Sequence, residues 1–142
     1  AVDLFGTRKM YDNPAVNFIY LNGERPCRDS VVKALRAGHT IAAAGFDQAD
    51  IMLNNHIPGN AVSLTEATAG TLRISAKLRE REIRKIRVYS GAALIYSQEA
   101  NTQSVKIELP LRTLELQGFV RVEIEGPNPY WICCSTPFYL EK

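Results

Sequence analysis

Alternation of apolar and polar residues with a period of two dominates the second half of this chain. The stretch LRISAKLR, from Leu72 to Arg79, places leucine, isoleucine and alanine between arginine, serine and lysine. The stretches VKIEL, from Val105, and VRVEIE, from Val120, repeat the pattern. Because successive side chains of a β-strand point to opposite faces, each stretch predicts a strand with one buried and one wet face. Three such strands predict an antiparallel sheet.

Shorter apolar runs extend this interpretation to the whole chain. They are Val16–Leu21, Thr40–Ala44, Ala49–Leu53, Ala61–Leu64, Lys85–Tyr89, Ala93–Tyr96, Tyr130–Cys134 and Phe138–Leu140. Glycine, proline or asparagine bounds most of them, which is typical of short strands joined by tight turns. We therefore predict a mainly β chain, an antiparallel β-sandwich of immunoglobulin-like outline, in which residues 15–142 form a single domain. Residues 1–14 show no period and are expected to be an irregular leading segment.

The segment VVKALRAGHTIAAAGF departs from this pattern, because its first half carries apolar residues at helical spacing. It predicts one short helix at about residues 29–37, which Asp29 or Ser30 caps and Gly38 ends. His39, one of two histidines, then lies just past the helix, where the chain enters a strand.

Charge and length favour no particular ligand class. The formal net charge of +2 results from 17 basic and 15 acidic residues mixed along the chain, so neither nucleic acid nor a membrane is expected as a partner. No apolar run approaches the roughly 20 residues of a membrane span, and the opening AVDLFGTRKM lacks the order of a signal peptide. The cytoplasm is favoured without being established, and the oligomeric state is left open. Because the first residue is Ala1 rather than methionine, we expect either a mature product or a piece cut from a longer protein.

The three cysteines are Cys27, Cys133 and Cys134. An odd number with two adjacent members fits neither a disulfide framework nor Cys-x-x-Cys zinc spacing. We predict buried free thiols.

Residues that could perform catalysis are few. A small metal site could be assembled only from His39, His56, Asp47 and Asp50, and none of these shows His-x-His or Asp-x-His spacing. His56 lies in a polar turn, and the two aspartates suit loop hydrogen bonding. The chain is expected to contain no catalytic residue, metal or cofactor of its own.

Two further features admit a binding role. The charged stretch REREIRKIR, from Arg79 to Arg87, joins two predicted strands. We interpret it as a solvated hairpin tip or edge-strand guard in preference to a phosphate contact. Tyr130 and Trp131 follow a Gly-Pro-Asn-Pro turn and provide the alternative function, a free-standing binding module for carbohydrate or a protein partner. Trp131 shares its strand face with Cys133, which favours burial.

Three segments together resemble a known family. They are SVVKALRAGHT at 30–40, FVRVE at 119–123 and STPFYL at 135–140. In this order they are similar to the C-terminal part of PHP-domain metal-dependent phosphoesterase-like proteins. There a helix ending in Ala-Leu-Arg-Ala-Gly-Arg-Thr follows the catalytic barrel, and a β-rich tail closes with Ser-Asn-Pro-Ile-Tyr-Leu. This chain differs at His39, Thr136 and Phe138, where the family has Arg, Asn and Ile.

The resemblance implies a role beside a hydrolytic domain. The family's metal ligands lie in His-x-His and Asp-x-His motifs that have no counterpart here, so divalent Zn, Mn or Fe would belong to a catalytic domain of the same parent chain. This chain would be a non-catalytic accessory domain that packs on that barrel and shapes its cleft or assembly. His39 is the candidate to face the cleft, although a histidine lacks the forked, permanent charge of the family's arginine.

Overall fold

The computed structural model describes residues 15–142, which form eleven strands and two helices. The strands are β1 (Ala15–Ile19), β2 (Thr40–Ala44), β3 (Phe46–Leu53), β4 (Ala61–Ser63), β5 (Thr71–Leu78), β6 (Ile83–Ser90), β7 (Ala93–Thr102), β8 (Ser104–Pro110), β9 (Phe119–Glu125), β10 (Ile132–Ser135) and β11 (Phe138–Glu141). The helices are α1 (Arg28–Arg36) and α2 (Leu64–Thr68). The predicted leading segment, residues 1–14, lies outside the described residues.

The strands form two sheets. In the larger, eight-stranded sheet, one edge of β9 pairs with β6, and β6 in turn pairs with β7. The other edge of β9 pairs with β10 near the end of the strand and with β11 near its start. Beyond β10 lie β2 and β1, whereas β11 pairs in parallel with β4. The smaller sheet has the antiparallel order β3-β5-β8. The prediction of a mainly β chain with mostly antiparallel sheets is confirmed, and its immunoglobulin-like outline stays a prediction.

Both sheets contribute to one hydrophobic core. The predicted alternation is seen directly in burial, since the apolar residues of β5 and β9 are buried while most of their polar neighbours are partly or fully exposed. The inward residues of these two strands are Leu72, Ile74, Ala76, Leu78, Val120, Val122 and Ile124. Burying each large aliphatic side chain contributes about 1.5–3 kcal/mol, so this shared core holds the two sheets together.

Helix α1 begins one residue earlier than predicted and is capped differently. Its N-cap is Cys27 rather than Asp29 or Ser30. The Cys27 sulfur accepts a hydrogen bond from the Ser30 amide at 3.5 Å, and the Ser30 hydroxyl oxygen accepts one from the Cys27 amide at 3.0 Å. This reciprocal pair is a capping box in which sulfur takes the usual place of oxygen. Gly38 ends the helix as predicted, with φ of +74°.

Helix α2 corrects the prediction of a single helix. The Ser63 side chain accepts a hydrogen bond from the Glu66 amide at 3.2 Å and so caps the helix at the residue where β4 ends. The predicted strand over Ala61–Leu64 therefore stops one residue early. Five residues are too few to show a helical period in sequence.

The charged connection between β5 and β6 is not a hairpin tip, which corrects that interpretation. Strand β5 pairs with β3 and β8 in the smaller sheet, whereas β6 pairs with β7 and β9 in the larger one. Leu78 and Ile83, at the two ends of the connection, are both fully buried. The chain therefore crosses from one sheet to the other here, because both flanking strands must bury an apolar face in the same core.

Tyr20 links the two sheets just past β1. Its hydroxyl donates to Asp50 Oδ1 at 2.6 Å and accepts from the Ile51 amide at 2.8 Å. Burial, followed by the hydrogen bond to Asp50, raises the pKa of Tyr20 well above its ordinary value. The phenol is therefore held in its neutral form, in which it can donate and accept at once.

We expect Tyr20→Phe to lower the free energy of unfolding by about 1–3 kcal/mol, because it leaves the Ile51 amide without its partner while keeping the ring. Urea unfolding followed by circular dichroism measures the loss. Tyr96→Phe is the matched control, since among residues 15–142 the Tyr96 hydroxyl bonds only the exposed Gln98 side chain. Its removal should lower the free energy of unfolding by less than about 0.5 kcal/mol. Equal losses in the two variants would contradict a specific role for the Tyr20 hydroxyl.

Candidate functional site

His39 is held by contacts at the C-terminal end of α1. Its amide donates to the Ala34 carbonyl at 3.0 Å, and its carbonyl accepts from the Tyr20 amide at 2.9 Å. The ring is half-buried, with Nδ1 2.8 Å from the Pro58 carbonyl oxygen. Because a carbonyl oxygen only accepts, Nδ1 carries the proton, and the neutral ring keeps its lone pair on Nε2. Among residues 15–142, Nε2 has no hydrogen-bond partner.

The surroundings of His39 bring together segments that are far apart in sequence. The Thr136 amide donates to the Thr40 carbonyl at 3.1 Å, and the hydroxyl oxygens of these two threonines also lie 3.1 Å apart. The Gly59 amide donates to the Pro137 carbonyl at 3.0 Å. We call this set of contacts the His39 junction, formed by residues 38–40, 58–59 and 136–137.

Two of the three family-like segments, 30–40 and 135–140, meet in the His39 junction, and the third, 119–123 in β9, contacts the residues on either side of its 136–137 part. The Ser135 hydroxyl oxygen accepts from the Val122 amide at 3.0 Å, and Phe138 pairs with Val120 across the sheet. The helix end, the middle of β9 and the β10–β11 break are therefore parts of one packed unit. The sequence order alone did not require these segments to touch.

A small cavity of about 90 Å³ lies beside His39, between α1 and the loop after β1. The Lys33–Glu24 ion pair, at 2.7 Å, lies on its wall. Since ligand pockets have volumes of about 300–1,000 Å³, this cavity suits a few water molecules and not a substrate.

The four side chains considered for a metal site each have a separate local partner. His56 Nε2 lies 2.8 Å from Glu66 Oε1, Arg79 Nε donates to Asp47 at 2.8 Å, and Asp50 accepts from Tyr20. Residues 15–142 contain no group of three or more side chains placed to hold a metal ion.

Trp131 lines an open groove of about 500 Å³ that we call the Trp131 groove. One wall comes from the connection between the sheets and the start of β6, and the other from the β9–β10 loop. The lining residues are Glu80, Arg81, Glu82, Arg84, Pro127, Asn128 and Trp131. The charged stretch and the aromatic turn, which the sequence presented as two unrelated features, are therefore neighbours.

Tyr130 and Trp131 differ in their surroundings. Tyr130 is 78% exposed, whereas Trp131 is half-buried, packs against the core and still lines the groove. Burial of Trp131 is therefore partial, and one part of its surface is accessible to a ligand.

The three thiols are free but unequal. Burial raises the pKa of Cys133 to about 12, and burial followed by the nearby Glu123 carboxylate raises that of Cys134. The prediction of buried thiols is confirmed for Cys133, only partly met by the half-buried Cys134, and wrong for Cys27, which is exposed. Hydrogen bonds from Ser30, first from its side chain and then from its amide, lower the pKa of Cys27.

We expect the free energy of unfolding to decrease at alkaline pH because the Cys133 thiol is buried. An unfolded thiol titrates near pH 8.5, so between about pH 8.5 and 12 the unfolded chain releases a proton that the folded chain retains. Below about pH 8.5 the contribution of the protonated Cys133 thiol to the free energy of unfolding is fully present. Between about pH 8.5 and 12 the free energy of unfolding falls by about 1.4 kcal/mol per pH unit.

Urea unfolding from pH 8 to 10 checks this alkaline dependence. Cys133→Ala should flatten the slope, whatever its effect on absolute stability, whereas Cys134→Ala should leave most of the slope in place. A slope unchanged by Cys133→Ala would show that another group controls the loss.

Comparison with protein-family models, curated proteins and solved structures finds no match for this chain. None of the helices in the described part of the chain is long and apolar enough to cross a membrane. The class of protein supported directly is thus a mainly β domain of two sheets, with the His39 junction and the Trp131 groove as its two candidate sites.

Proposed function

We propose that this chain is the non-catalytic C-terminal accessory domain of a PHP-type metal-dependent phosphoesterase-like protein. It packs on the catalytic barrel and shapes the cleft or the assembly of that domain. The observation that carries the proposal is that the three family-like segments contact one another, two of them in the His39 junction and the third, in β9, through Ser135 and Phe138. A chance likeness of three short stretches gives no reason for them to form one packed unit.

The chemistry of the described residues supports a non-catalytic role. His56, Asp47 and Asp50 are held by neighbours on separate elements, and the cavity beside His39 is too small for a phosphoester substrate. The divalent ions that the family uses would be held by His-x-His and Asp-x-His motifs of the barrel.

His39 is the residue of this chain that we assign to the contact with the barrel. Its Nδ1 is occupied by Pro58, so the ring is fixed in orientation while Nε2 remains available among the described residues. Neutral imidazole accepts one hydrogen bond at Nε2, and the protonated ring donates one. This is a directional contact to one neighbouring group, unlike the bidentate contact of the family's arginine.

The proposal is tested by the coding sequence upstream of Ala1. A barrel of this kind needs roughly 200 residues, and we expect that length to contain His-x-His followed by Asp-x-His. The long product should hydrolyse a generic phosphodiester such as bis(p-nitrophenyl) phosphate with added Mn²⁺ or Zn²⁺. An upstream sequence without those motifs contradicts the proposal.

Association of the two parts provides a second test. The barrel and the 142-residue chain, produced separately, should co-elute in size-exclusion chromatography, with slowed amide exchange at the His39 junction. His39→Ala should weaken the association, whereas Trp131→Ala, at the opposite end of β10, should not. Metal-dependent hydrolysis by the 142-residue chain alone, lost in His39→Ala or His56→Ala, would overturn the accessory role.

A further inference from the structure

The backbone on either side of Trp131 is hydrogen-bonded and closely packed. The Gly126 amide donates to the Trp131 carbonyl at 2.6 Å, and the Trp131 amide donates to the Asn128 carbonyl at 3.1 Å. A Cβ on Gly126 would lie 2.6 Å from the Trp131 Cβ and 3.0 Å from Leu78 Cδ2. The backbone that carries the indole is therefore held by the fold, and the partly buried ring packs against the core, so less of it has to be ordered when a ligand binds.

The charges that line the groove balance one another. Arg81 and Arg84 provide two guanidinium groups, and Glu80 and Glu82 provide two carboxylates. Arg84 donates to Asn101 at 2.8 Å and lies 3.9 Å from Glu82. Glu80 and Arg81 have no side-chain partner in residues 15–142, so an acceptor and a donor are both available. A polyanion such as nucleic acid gains little from a groove without excess positive charge.

We propose that the Trp131 groove binds a neutral carbohydrate. A sugar ring has an apolar C–H face, which can lie on the exposed surface of the indole, and hydroxyl groups that both donate and accept. These hydroxyls match the carboxylate acceptors and guanidinium donors of the walls. The volume of about 500 Å³ lies within the usual range for ligand sites. This site does not depend on the accessory role, because it lies at the other end of β10 from the His39 junction.

Binding can be followed with the chain's own fluorescence, because Trp131 is its single tryptophan. The probes are cello-, xylo-, malto- and chito-oligosaccharides of two to six units, titrated into the 142-residue chain. We expect at least one to give a saturable change in emission. Calorimetry with that sugar should show a rise of about tenfold or more in Kd for Trp131→Ala, since aromatic anchors dominate such sites. Trp131→Phe should restore most of the affinity.

Control variants separate a local effect from a loss of fold. Arg81→Ala, on the opposite wall, should weaken binding with an unchanged thermal unfolding midpoint, and His39→Ala should leave Kd unchanged. The proposal is overturned if none of the four series gives saturation below roughly 10 mM, or if Trp131→Ala and Arg81→Ala bind as well as the original chain. Preferential binding of a heparin hexasaccharide or an oligonucleotide would also overturn it, because the ligand would then be an anion.

Discussion

Replacing Gly59 with alanine should destabilise the fold on the order of 4 kcal/mol. A Cβ at this position would lie 2.6 Å from the carbonyl oxygens of Ala37 and Gly38, and φ is +90°. The obstructing atoms belong to the backbone at the end of α1, so no side-chain rotation can relieve the contact. Thermal and urea unfolding measure the loss.

Gly23→Ala is the matched control for Gly59→Ala. Gly23 has a similar φ of +80°, but its Cβ would meet nothing within 4 Å. Gly23→Ala should therefore lower the free energy of unfolding only by the cost of a left-handed backbone at a non-glycine residue, about 1–2 kcal/mol. The difference between the two variants isolates the packing of the Pro58–Gly59 turn on α1. Similar losses in both would show that this turn can move away from the helix, and the His39 junction would then be looser than described.

Replacing Phe138 with alanine should cost about 3–5 kcal/mol, because it leaves a large cavity at a fully buried position in β11. The loss should be accompanied by faster amide exchange in β11 and β4, since within the described part of the chain β4 pairs with the larger sheet through β11 alone. Urea unfolding and hydrogen exchange measure the two effects.

Tyr139→Ala serves as the comparison for Phe138→Ala. The neighbouring Tyr139 is 49% exposed on the other face of the same strand, so truncating it should cost far less, about 1 kcal/mol. If both variants lost the same amount, the Phe138 site would have collapsed around the missing ring.

Local patterns predicted much of the fold because they act within a few residues. The alternation of β5 and β9 identified their buried faces, and Gly38 marked the end of α1. The cap at Cys27 was missed because sulfur is a weaker acceptor than the oxygen of Asp29 or Ser30, the usual choices. In this helix Ser30 serves at the third position instead of the first.

Long-range contacts were beyond the sequence patterns. Nothing in Arg81 or Arg84 signals that the chain crosses between sheets there and brings these side chains beside Trp131, which is more than 40 residues further on. The bond from Tyr20 to Asp50 spans 30 residues and is equally invisible. Periodicity assigns a face to a residue, but only the pairing of strands assigns it a neighbour.

The hydroxyl of Tyr20 also affects the self-association of the protein. Strand β3 is an edge of the smaller sheet, and edge amides are where a foreign strand can add to a protein. With the Ile51 amide already bonded to Tyr20, an incoming strand must first displace a half-buried phenol. We therefore expect Tyr20→Phe to associate through β3 in concentrated solution, in addition to any change in the stability of the single chain.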